Sequence, residues 1–250
     1  MILNVEGLEF KYPSNTILNN ISFSIKKGEC LAILGTNGAG KSTLLKCLNK
    51  ILNINKGNIF IDNISLKNLK GIDLAKKIGY VSQDSQVSRL TVFDSVLIGR
   101  KPYIKWNITD KDLKIVSNVL KSLNLEKFSL RYLDELSGGE VQKILIARAL
   151  VQDTDILMLD EPTSNLDLKN QLEVINIIKR IIKDRKISTI VTIHDLNLAL
   201  KLADKFIFLK NGSIYAAGGK EILTSENIEK VYSVPVKVRK FEEDTYIIPA

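Results

Sequence analysis

The chain has 250 residues, of which 45% are hydrophobic and 26% charged, and its mean hydropathy is +0.04. These values are typical of a soluble globular protein and exclude a disordered chain. The formal net charge of +8 suits three partners: nucleic acid, anionic lipid headgroups, or a polyanionic ligand such as a nucleotide. Because the basic residues are spread along the whole chain, the charge favours nucleic acid least.

Neither a membrane span nor a secretory signal is predicted. The longest unbroken apolar run, Cys30–Leu34, is far shorter than the roughly 18 residues of a membrane span. The first ten residues lack a basic region followed by an apolar stretch. The two cysteines, Cys30 and Cys47, form no CxxC pair and fit a reducing compartment, so we expect a cytosolic location.

The first part of the chain predicts strands, a glycine-rich turn and a helix. Apolar and polar residues alternate strictly over 20–26, which indicates a half-buried strand, and a less regular run of the same kind begins at Leu3. The apolar run 30–34 predicts a fully buried strand, and residues 42–52 have helical spacing.

The middle of the chain predicts consecutive helices with no convincing strand between them, at 91–99, 110–123 and 138–151. Strands and helices then alternate again, over 156–160, 168–183, 187–193 and 195–203. The dipeptide Asn211-Gly212 separates two further strand patterns, 206–210 and 213–217, and predicts a type I′ hairpin. This alternation predicts an α/β core with a parallel sheet and a helical insertion near residues 85–153.

Residues 35–42, GTNGAGKS, form the strongest motif, because they fit G-x4-G-K-[ST] between a predicted buried strand and a predicted helix. The glycines let the backbone bend around phosphates, and the helix offers its positive end to the anion. Lys41 opposes the helix macrodipole, a conflict that a bound phosphate would remove. Ser42 offers a hydroxyl to Mg²⁺. We therefore predict nucleotide binding, against the alternative of a chance match.

Two acids end the buried strand 156–160, because Asp160 is its last residue and Glu161 follows. Successive residues of a strand point in opposite directions. We therefore predict different roles for the two carboxylates, one beside Mg²⁺ and the other facing an attacking water. A solvated strand end is the alternative.

Ser137 and Glu140 form the S-x-x-E pattern of a capping box at the start of the helix 138–151. A capping box does not need glycine, and each glycine in a helix costs about 1 kcal/mol relative to alanine. Gly138 and Gly139 therefore predict the close approach of a second phosphate. His194, the only histidine, follows the strand 187–193. It could reach a γ-phosphate if that strand lies beside the glycine-rich loop, or it could be structural; a metal site is disfavoured.

Taken in order, these motifs resemble the ATP-binding cassette (ABC) ATPases over essentially the whole chain. Residues 35–42 are similar to the Walker A loop, 156–160 to the Walker B strand and 136–140 to the family signature. The shorter matches are Gln83 of the Q-loop, 164–167 of the D-loop with Asp167, His194 as the switch histidine and Tyr12 as the aromatic that stacks on adenine.

The resemblance implies a fold: an α/β P-loop NTPase of the ABC type, with a RecA-like core sheet, an antiparallel β subdomain and a helical insertion. It implies one ABC ATPase domain over 1–250, with a catalytic core at about 1–84 and 154–250 and a helical subdomain at about 85–153.

The resemblance also implies site residues. ATP would be bound by Tyr12, Gly35, Thr36, Asn37, Gly38, Ala39, Gly40, Lys41, Ser42 and Thr43. Glu161 would polarise the attacking water and His194 would contact the γ-phosphate. Mg²⁺ would be served by Ser42, Gln83 and Asp160. In a head-to-tail homodimer, the ATP of one copy would be contacted by the other copy's Ser137, Gly138, Gly139 and Glu140.

Two parts of the chain are similar to the importers of ferric chelates, haem and cobalamin: the stretch 90–102, LTVFDSVLIGRKP, and the ending, with 212–217, Leu223-Thr224 and 231–234. This implies a peripheral protein on the cytoplasmic face of the cell membrane. Its partners would be a dimeric, many-spanning permease and an extracytoplasmic solute-binding protein, with no nucleic acid.

Three alternatives stay open. The first is a zinc or manganese importer subunit, or an exporter cassette. The second is a soluble ABC ATPase acting on nucleic acid, although such proteins normally carry a long coiled coil that is not predicted here. The third is a non-hydrolysing nucleotide-gated module, against which the presence of Glu161 and His194 argues.

Overall fold

The computed structural model describes residues 1–13, 15–83, 89–242 and 244–250. The chain divides into two compact units, the first comprising Met1–Leu69 and Ile181–Ala250 and the second Lys70–Arg180. The predicted division into a catalytic core and a helical subdomain differs from these two units, because the prediction follows the type of secondary structure and the units follow compactness. It stays a prediction, and its boundary at residues 84 and 85 lies outside the described residues.

The strands and helices alternate along most of the chain. The strands are β1 (Leu3–Tyr12), β2 (Asn15–Ile25), β3 (Cys30–Leu34), β4 (Lys56–Ile61), β5 (Ile64–Ser65), β6 (Ile78–Val81), β7 (Ile156–Asp160), β8 (Ser188–Thr192), β9 (Lys205–Lys210), β10 (Ser213–Gly218), β11 (Val236–Phe241) and β12 (Asp244–Pro249). The α-helices are α1 (Lys41–Leu48), α2 (Gly71–Ala75), α3 (Val92–Leu97), α4 (Asp110–Ser122), α5 (Gly138–Leu150), α6 (Leu168–Arg185), α7 (Leu196–Leu202) and α8 (Ser225–Tyr232).

The first unit contains an antiparallel sheet with the strand order β2-β1-β4-β5, as the fold prediction expects. In β1, Leu3 and Val5 are buried, and so are Leu8 and Phe10. The register with β2 shifts between Val5 and Leu8, where Gly7 has a φ of +54°. This bulge explains why the alternation in this strand is irregular, since an extra residue moves the buried side chains to the other phase of the pleat.

In a second sheet, strand β3 pairs in parallel with both β8 and β9. Every residue of β3 and β8 is buried, as expected of parallel strands covered on both faces. Ile33 is paired with Thr192, so both strands end at the same edge. The glycine-rich loop 35–42 follows β3 directly, and His194 lies two residues after the end of β8.

The predicted hairpin is confirmed between β9 and β10. Asn211 and Gly212 have φ values of +48° and +74°, which is the left-handed pair that a type I′ turn needs. A Cβ on Gly212 would lie 2.1 Å from the carbonyl oxygen of Ile17, so glycine is required by packing as well as by φ.

The second unit contains the parallel pair β6 and β7, with Val81 opposite Leu159, together with helices α2 to α5 and most of α6. A buried ion pair joins the short helix Ile98–Arg100 to α4, because Nε of Arg100 lies 3.0 Å from Oδ1 of Asp112. The same guanidinium donates to the carbonyl oxygen of Val151 at 2.7 Å.

All the segments predicted as strands or helices are present, but several elements were not predicted. Strand β6 has four residues, too few to show a period. Strand β4 is followed by Asp62 and Asn63, whose φ values of +49° and +62° give a hairpin turn that the sequence reading overlooked. Strand β11 has only a short alternation of Val236 and Val238 with two charged residues, and most of its side chains are exposed. It is ordered by pairing with β12.

Candidate active site

The glycine-rich loop follows β3 and contains three left-handed glycines, Gly35, Gly38 and Gly40, with φ values of +152°, +79° and +103°. A Cβ on Gly35 would lie 2.3 Å from the carbonyl oxygen of Leu209, so no side chain fits there. The loop tip, Thr36 to Gly38, is exposed. The backbone is therefore bent and accessible where the motif predicts phosphate binding.

Lys41 is the first residue of α1, and only 5% of it is exposed. Its ammonium donates to the carbonyl oxygens of Gly35 at 2.9 Å and Thr36 at 3.1 Å. The first turn of α1 carries no acidic residue, so no side-chain anion there offsets the positive end of the helix. Ser42 and Thr43, the next residues, are partly exposed.

His194 and Tyr12 lie in the same unit as this loop. Strand β8 does lie beside β3, the condition under which His194 was expected to reach a phosphate, and His194 is exposed. Asp195 caps helix α7 by accepting hydrogen bonds from the N–H groups of Asn197 and Leu198 at 2.7 and 3.0 Å. Tyr12 ends β1 with its ring 44% exposed.

Asp160 and Glu161 lie in the second unit and have different partners there. Asp160 ends β7, is buried, and accepts a hydrogen bond of 3.4 Å from the hydroxyl of Tyr80. Burial and the Asp160 carboxylate raise the pKa of Tyr80 well above its usual range. Glu161 has a φ of +49°, which is uncommon for a residue other than glycine, and its Oε2 accepts from Nε2 of Gln83 at 2.8 Å.

The capping box at the start of α5 is confirmed. The Ser137 N–H and hydroxyl donate to Oε2 of Glu140 at 2.9 and 2.8 Å, and the Glu140 N–H donates to Oγ of Ser137 at 3.4 Å. These bonds from Ser137, the backbone one foremost, lower the pKa of Glu140.

The two glycines of the signature have different surroundings. A Cβ on Gly139 would lie 2.4 Å from the side chain of Asn170, whereas a Cβ on Gly138 would meet only a Leu166 carbon at 4.0 Å. A side chain at position 139 would therefore require Asn170 to move. Gly138, which is exposed, has no such explanation within the described chain.

Asp167 precedes α6, and its Oδ1 accepts a hydrogen bond of 2.7 Å from the N–H of Asn170. A polar cavity of about 660 Å³ lies in this unit. Its lining includes Ser137, Glu140 and Asp167, together with the ion pair between Lys143 and Glu173. The signature and the D-loop thus border one cavity.

The predicted site residues are divided between the two units. Tyr12, residues 35–43 and His194 belong to the first unit, whereas Gln83, residues 137–140, Asp160, Glu161 and Asp167 belong to the second. The described residues contain no group of three or more His, Cys, Asp or Glu placed to hold a metal ion.

The sequence analysis missed three side chains that contact the predicted site residues. They are Tyr80 on Asp160, Asn170 against Gly139, and Tyr232, whose hydroxyl accepts from the Gly35 N–H at 2.9 Å. Tyr232 had been noted only as part of the family-like ending. No local pattern reveals such contacts, because the partners are far apart in the chain.

A family model described as ABC transporter matches residues 18–164. The chain belongs to the ABC transporter family. As an ABC protein it has the predicted α/β P-loop NTPase fold and is an ATPase. Outside Ser14, residues 84–88 and Glu243, no helix of this ABC ATPase has the length and apolar character needed to cross a membrane.

Relatives of this ABC ATPase match it along nearly its whole length. An uncharacterized ABC transporter ATP-binding protein of Methanocaldococcus jannaschii is 58% identical, covering 100% of this chain and 98% of the relative. A petrobactin import ATP-binding protein of Bacillus subtilis is 33% identical and covers 96% of each chain.

A solved structure is similar over an equally large share of the chain. It is described as a metal-chelate type ABC transporter in an inward-facing conformation, and superposes with a TM-score of 0.86 at 32% identity, covering 100% of this chain and 96% of that chain.

Proposed function

We propose that this ABC ATPase is the ATP-hydrolysing subunit of an importer for an iron chelate. The observation that carries the proposal is its near full-length similarity to a petrobactin import ATP-binding protein. The metal-chelate type of the similar solved structure and the stretch 90–102 support the same assignment. The group of importers that the stretch 90–102 resembles also includes the importers of haem and cobalamin.

In this proposal, the loop 35–42 with Thr43 binds the phosphates of ATP. Three left-handed glycines shape its backbone, and the buried Lys41 ammonium supplies a positive charge. Tyr12 offers an exposed ring on which adenine can stack. Binding and positioning by such groups account for most of the catalysis of phosphoryl transfer.

Mg²⁺ fits the residues assigned to it. Ser42, Gln83 and Asp160 offer a hydroxyl, an amide oxygen and a carboxylate, and Mg²⁺ prefers oxygen ligands. It usually takes only one or two carboxylates and completes its shell with water and substrate phosphates, so a protein cluster of several acids is not needed. When bound, Mg²⁺ neutralises charge on the phosphates.

Hydrolysis is assigned to Glu161 and His194. The Glu161 carboxylate would accept a proton from the attacking water, while the amide of Gln83 holds that carboxylate by the 2.8 Å hydrogen bond. The His194 imidazole would contact the γ-phosphate from the end of β8, the strand next to β3. Positively charged or hydrogen-bonding groups beside the γ-phosphate oxygens stabilise the negative charge of the transition state.

We further propose that the chain acts as a head-to-tail homodimer on the cytoplasmic face of the cell membrane. Residues 137–140 of one copy would contact ATP bound to the other, and Asp167 would lie beside that contact. The exposed and otherwise unexplained Gly138 supports close approach of a partner. The homodimer would drive a dimeric permease that receives the solute from an extracytoplasmic binding protein, and no nucleic acid would take part.

The decisive experiment is reconstitution of the co-purified permease complex in vesicles, followed by measurement of uptake. We expect ATP-dependent uptake of a radiolabelled ferric chelate, and none with the Glu161→Gln complex. Uptake of cobalamin or haem instead would assign a different solute of the same importer group. Uptake of zinc or manganese ions alone, export, or co-purification with DNA and no permease would contradict it.

A further inference from the structure

The phosphate-binding loop receives a hydrogen bond partner from the far end of the chain. Tyr232 is the last residue of α8, and its hydroxyl oxygen accepts a hydrogen bond of 2.9 Å from the backbone N–H of Gly35. Gly35 is the first glycine of the loop. The two residues are 197 positions apart, so this contact depends entirely on how the first unit folds.

Gly35 is restrained on three sides. Its N–H is held by Tyr232, its carbonyl oxygen accepts from the Lys41 ammonium at 2.9 Å, and its Cα faces the carbonyl oxygen of Leu209 so closely that no Cβ fits. Lys41 must interact with phosphate when ATP is bound, and Leu209 contributes only excluded volume. Tyr232 therefore supplies a directional bond to Gly35 that does not involve a nucleotide-binding side chain.

The position of Tyr232 is itself well determined. Its ring stands edge-on to that of Phe208, with the centroids 6.4 Å apart, and Phe208 is paired with Leu34 across β9 and β3. Burial raises the pKa of Tyr232 to about 12. The phenol therefore stays neutral at physiological pH, and its bond to Gly35 is insensitive to pH there.

Helix α8 is also joined to its neighbours. The Lys210 ammonium donates to the carbonyl oxygen of Lys230 at 2.6 Å, and the Val238 N–H of β11 donates to Oγ of Ser225 at 3.3 Å. The helix that carries Tyr232 is thus held by hydrogen bonds both near its end and at its start. The Tyr232 hydroxyl is therefore held in place beside the Gly35 N–H.

We propose that Tyr232 is a positioning residue for ATP binding, whose hydroxyl holds the first peptide of the phosphate-binding loop in the conformation that receives the phosphates. It does not touch the nucleotide. Its contribution is preorganisation: a loop already ordered before binding loses less entropy when the ligand arrives. Removing the hydroxyl should therefore weaken nucleotide binding more than it slows the chemical step.

The test is Tyr232→Phe, which keeps the ring and removes only the acceptor, with Tyr246→Phe as the matched control. Tyr246 lies on β12 of the same unit and is 38% exposed. We expect the Tyr232→Phe variant to raise the Kd for a non-hydrolysable ATP analogue and the KM for ATP about three- to tenfold, the effect of one hydrogen bond. Its kcat at saturating ATP should change by less than about twofold, and the control should match the wild-type protein.

Thermal unfolding separates positioning from a purely structural role. In the positioning role, ATP analogue raises the melting temperature of Tyr232→Phe less than that of the wild-type protein at the same concentration. A variant that melts lower by the same amount with and without analogue, and keeps the wild-type Kd and KM, would overturn the proposal. None of these measurements uses a transported solute, so the result stands apart from the iron-chelate proposal.

A measurement on the unaltered protein keeps the proposal testable if Tyr232→Phe does not fold. The Gly35 amide should exchange with solvent much more slowly than the exposed Asn37 amide in the nucleotide-free protein, as followed by NMR. Equally fast exchange at both positions would show that the loop is not held at Gly35 and would overturn the proposal.

Discussion

The side-chain amide of Gln83 donates a hydrogen bond of 2.8 Å to the carboxylate of Glu161. The two residues follow β6 and β7, which are parallel neighbours, so both stand at the same edge of the pair. Glu161 reaches Gln83 from a left-handed backbone conformation with φ +49°. Such conformations carry strain and are concentrated at functional sites. The hydrogen bond needs an oxygen acceptor on residue 161, but it does not need a negative charge.

Glu161→Gln should therefore keep the local structure and lose the ability to hydrolyse ATP. The new amide oxygen can still accept from Gln83, but it cannot take a proton from water. We expect ATP hydrolysis to fall about 10²- to 10⁴-fold, the usual effect of a general base, with ATP binding retained and a stable ATP-bound dimer. Phosphate release and size-exclusion chromatography measure both effects. Glu126→Gln, at an exposed position of the same unit, serves as the control, and undiminished hydrolysis by Glu161→Gln would refute the role.

Lys41→Ala should abolish useful nucleotide affinity. The substitution removes the buried ammonium that now donates to Gly35 and Thr36, and charge-assisted hydrogen bonds to phosphate are among the strong ones. We expect the Kd for ATP to rise about 100-fold, as measured by calorimetry. Lys46→Ala, which removes an exposed lysine from the last turn of the same helix, should bind ATP normally. Tight binding by Lys41→Ala would contradict our reading of the loop.

Gly138→Ala and Gly139→Ala should differ in stability. Both gain a methyl group in the first turn of α5, but only at position 139 would the Cβ meet the side chain of Asn170, at 2.4 Å. Overpacking of this kind costs about 1–3 kcal/mol, and about 2–4 °C of melting temperature accompanies each kcal/mol in a chain of this size. The melting temperature of Gly139→Ala should therefore be lower than that of Gly138→Ala. Combining each substitution with Asn170→Ala should reduce this difference in melting temperature. Equal melting temperatures would show that Asn170 moves aside freely.

The buried pair of Arg100 and Asp112 should make stability depend on pH. A hydrogen bond from Thr109, followed by those from Arg100, lowers the pKa of Asp112. A lowered pKa contributes stability that is complete above the unfolded-state value of about 3.9 and is lost as the pH falls below it. Asp112→Asn should cost about 3 kcal/mol at pH 7, because it leaves a buried guanidinium without its counter-charge.

Chemical denaturation at pH 7 and at pH 3 measures this contribution. The difference between the wild-type protein and Asp112→Asn should shrink at the lower pH, because the Asp112 carboxyl is then protonated in the unfolded chain and must release that proton on folding, whereas the variant has no titrating group at this position. The exposed pair of Glu226 and Lys230 provides the control, because Glu226→Gln should not measurably change the free energy of unfolding at either pH. A gap that is constant with pH would mean that the charge of Asp112 does not contribute.

Much of the fold was predictable because its signals are local. The run Cys30–Leu34 is a buried strand as predicted, and Asn211-Gly212 makes the expected turn. The capping box at Ser137 was predicted residue by residue. Strands β11 and β12 were not predicted, because their order comes from pairing with each other and from Asn197, whose side chain exchanges hydrogen bonds of 3.0 and 2.9 Å with the backbone of Ile247.

By itself, the amino-acid sequence determined the order of most elements, the bent glycine loop and the residue types that the chemistry needs. These features depend on hydrophobic period, backbone freedom and side-chain chemistry, which act over a few residues. Only the tertiary structure decided that the Tyr232 hydroxyl bonds to Gly35 and that Asn170 packs against Gly139. Such contacts join residues distant in the chain, and they depend on the register and packing of whole elements, for which no short pattern carries information.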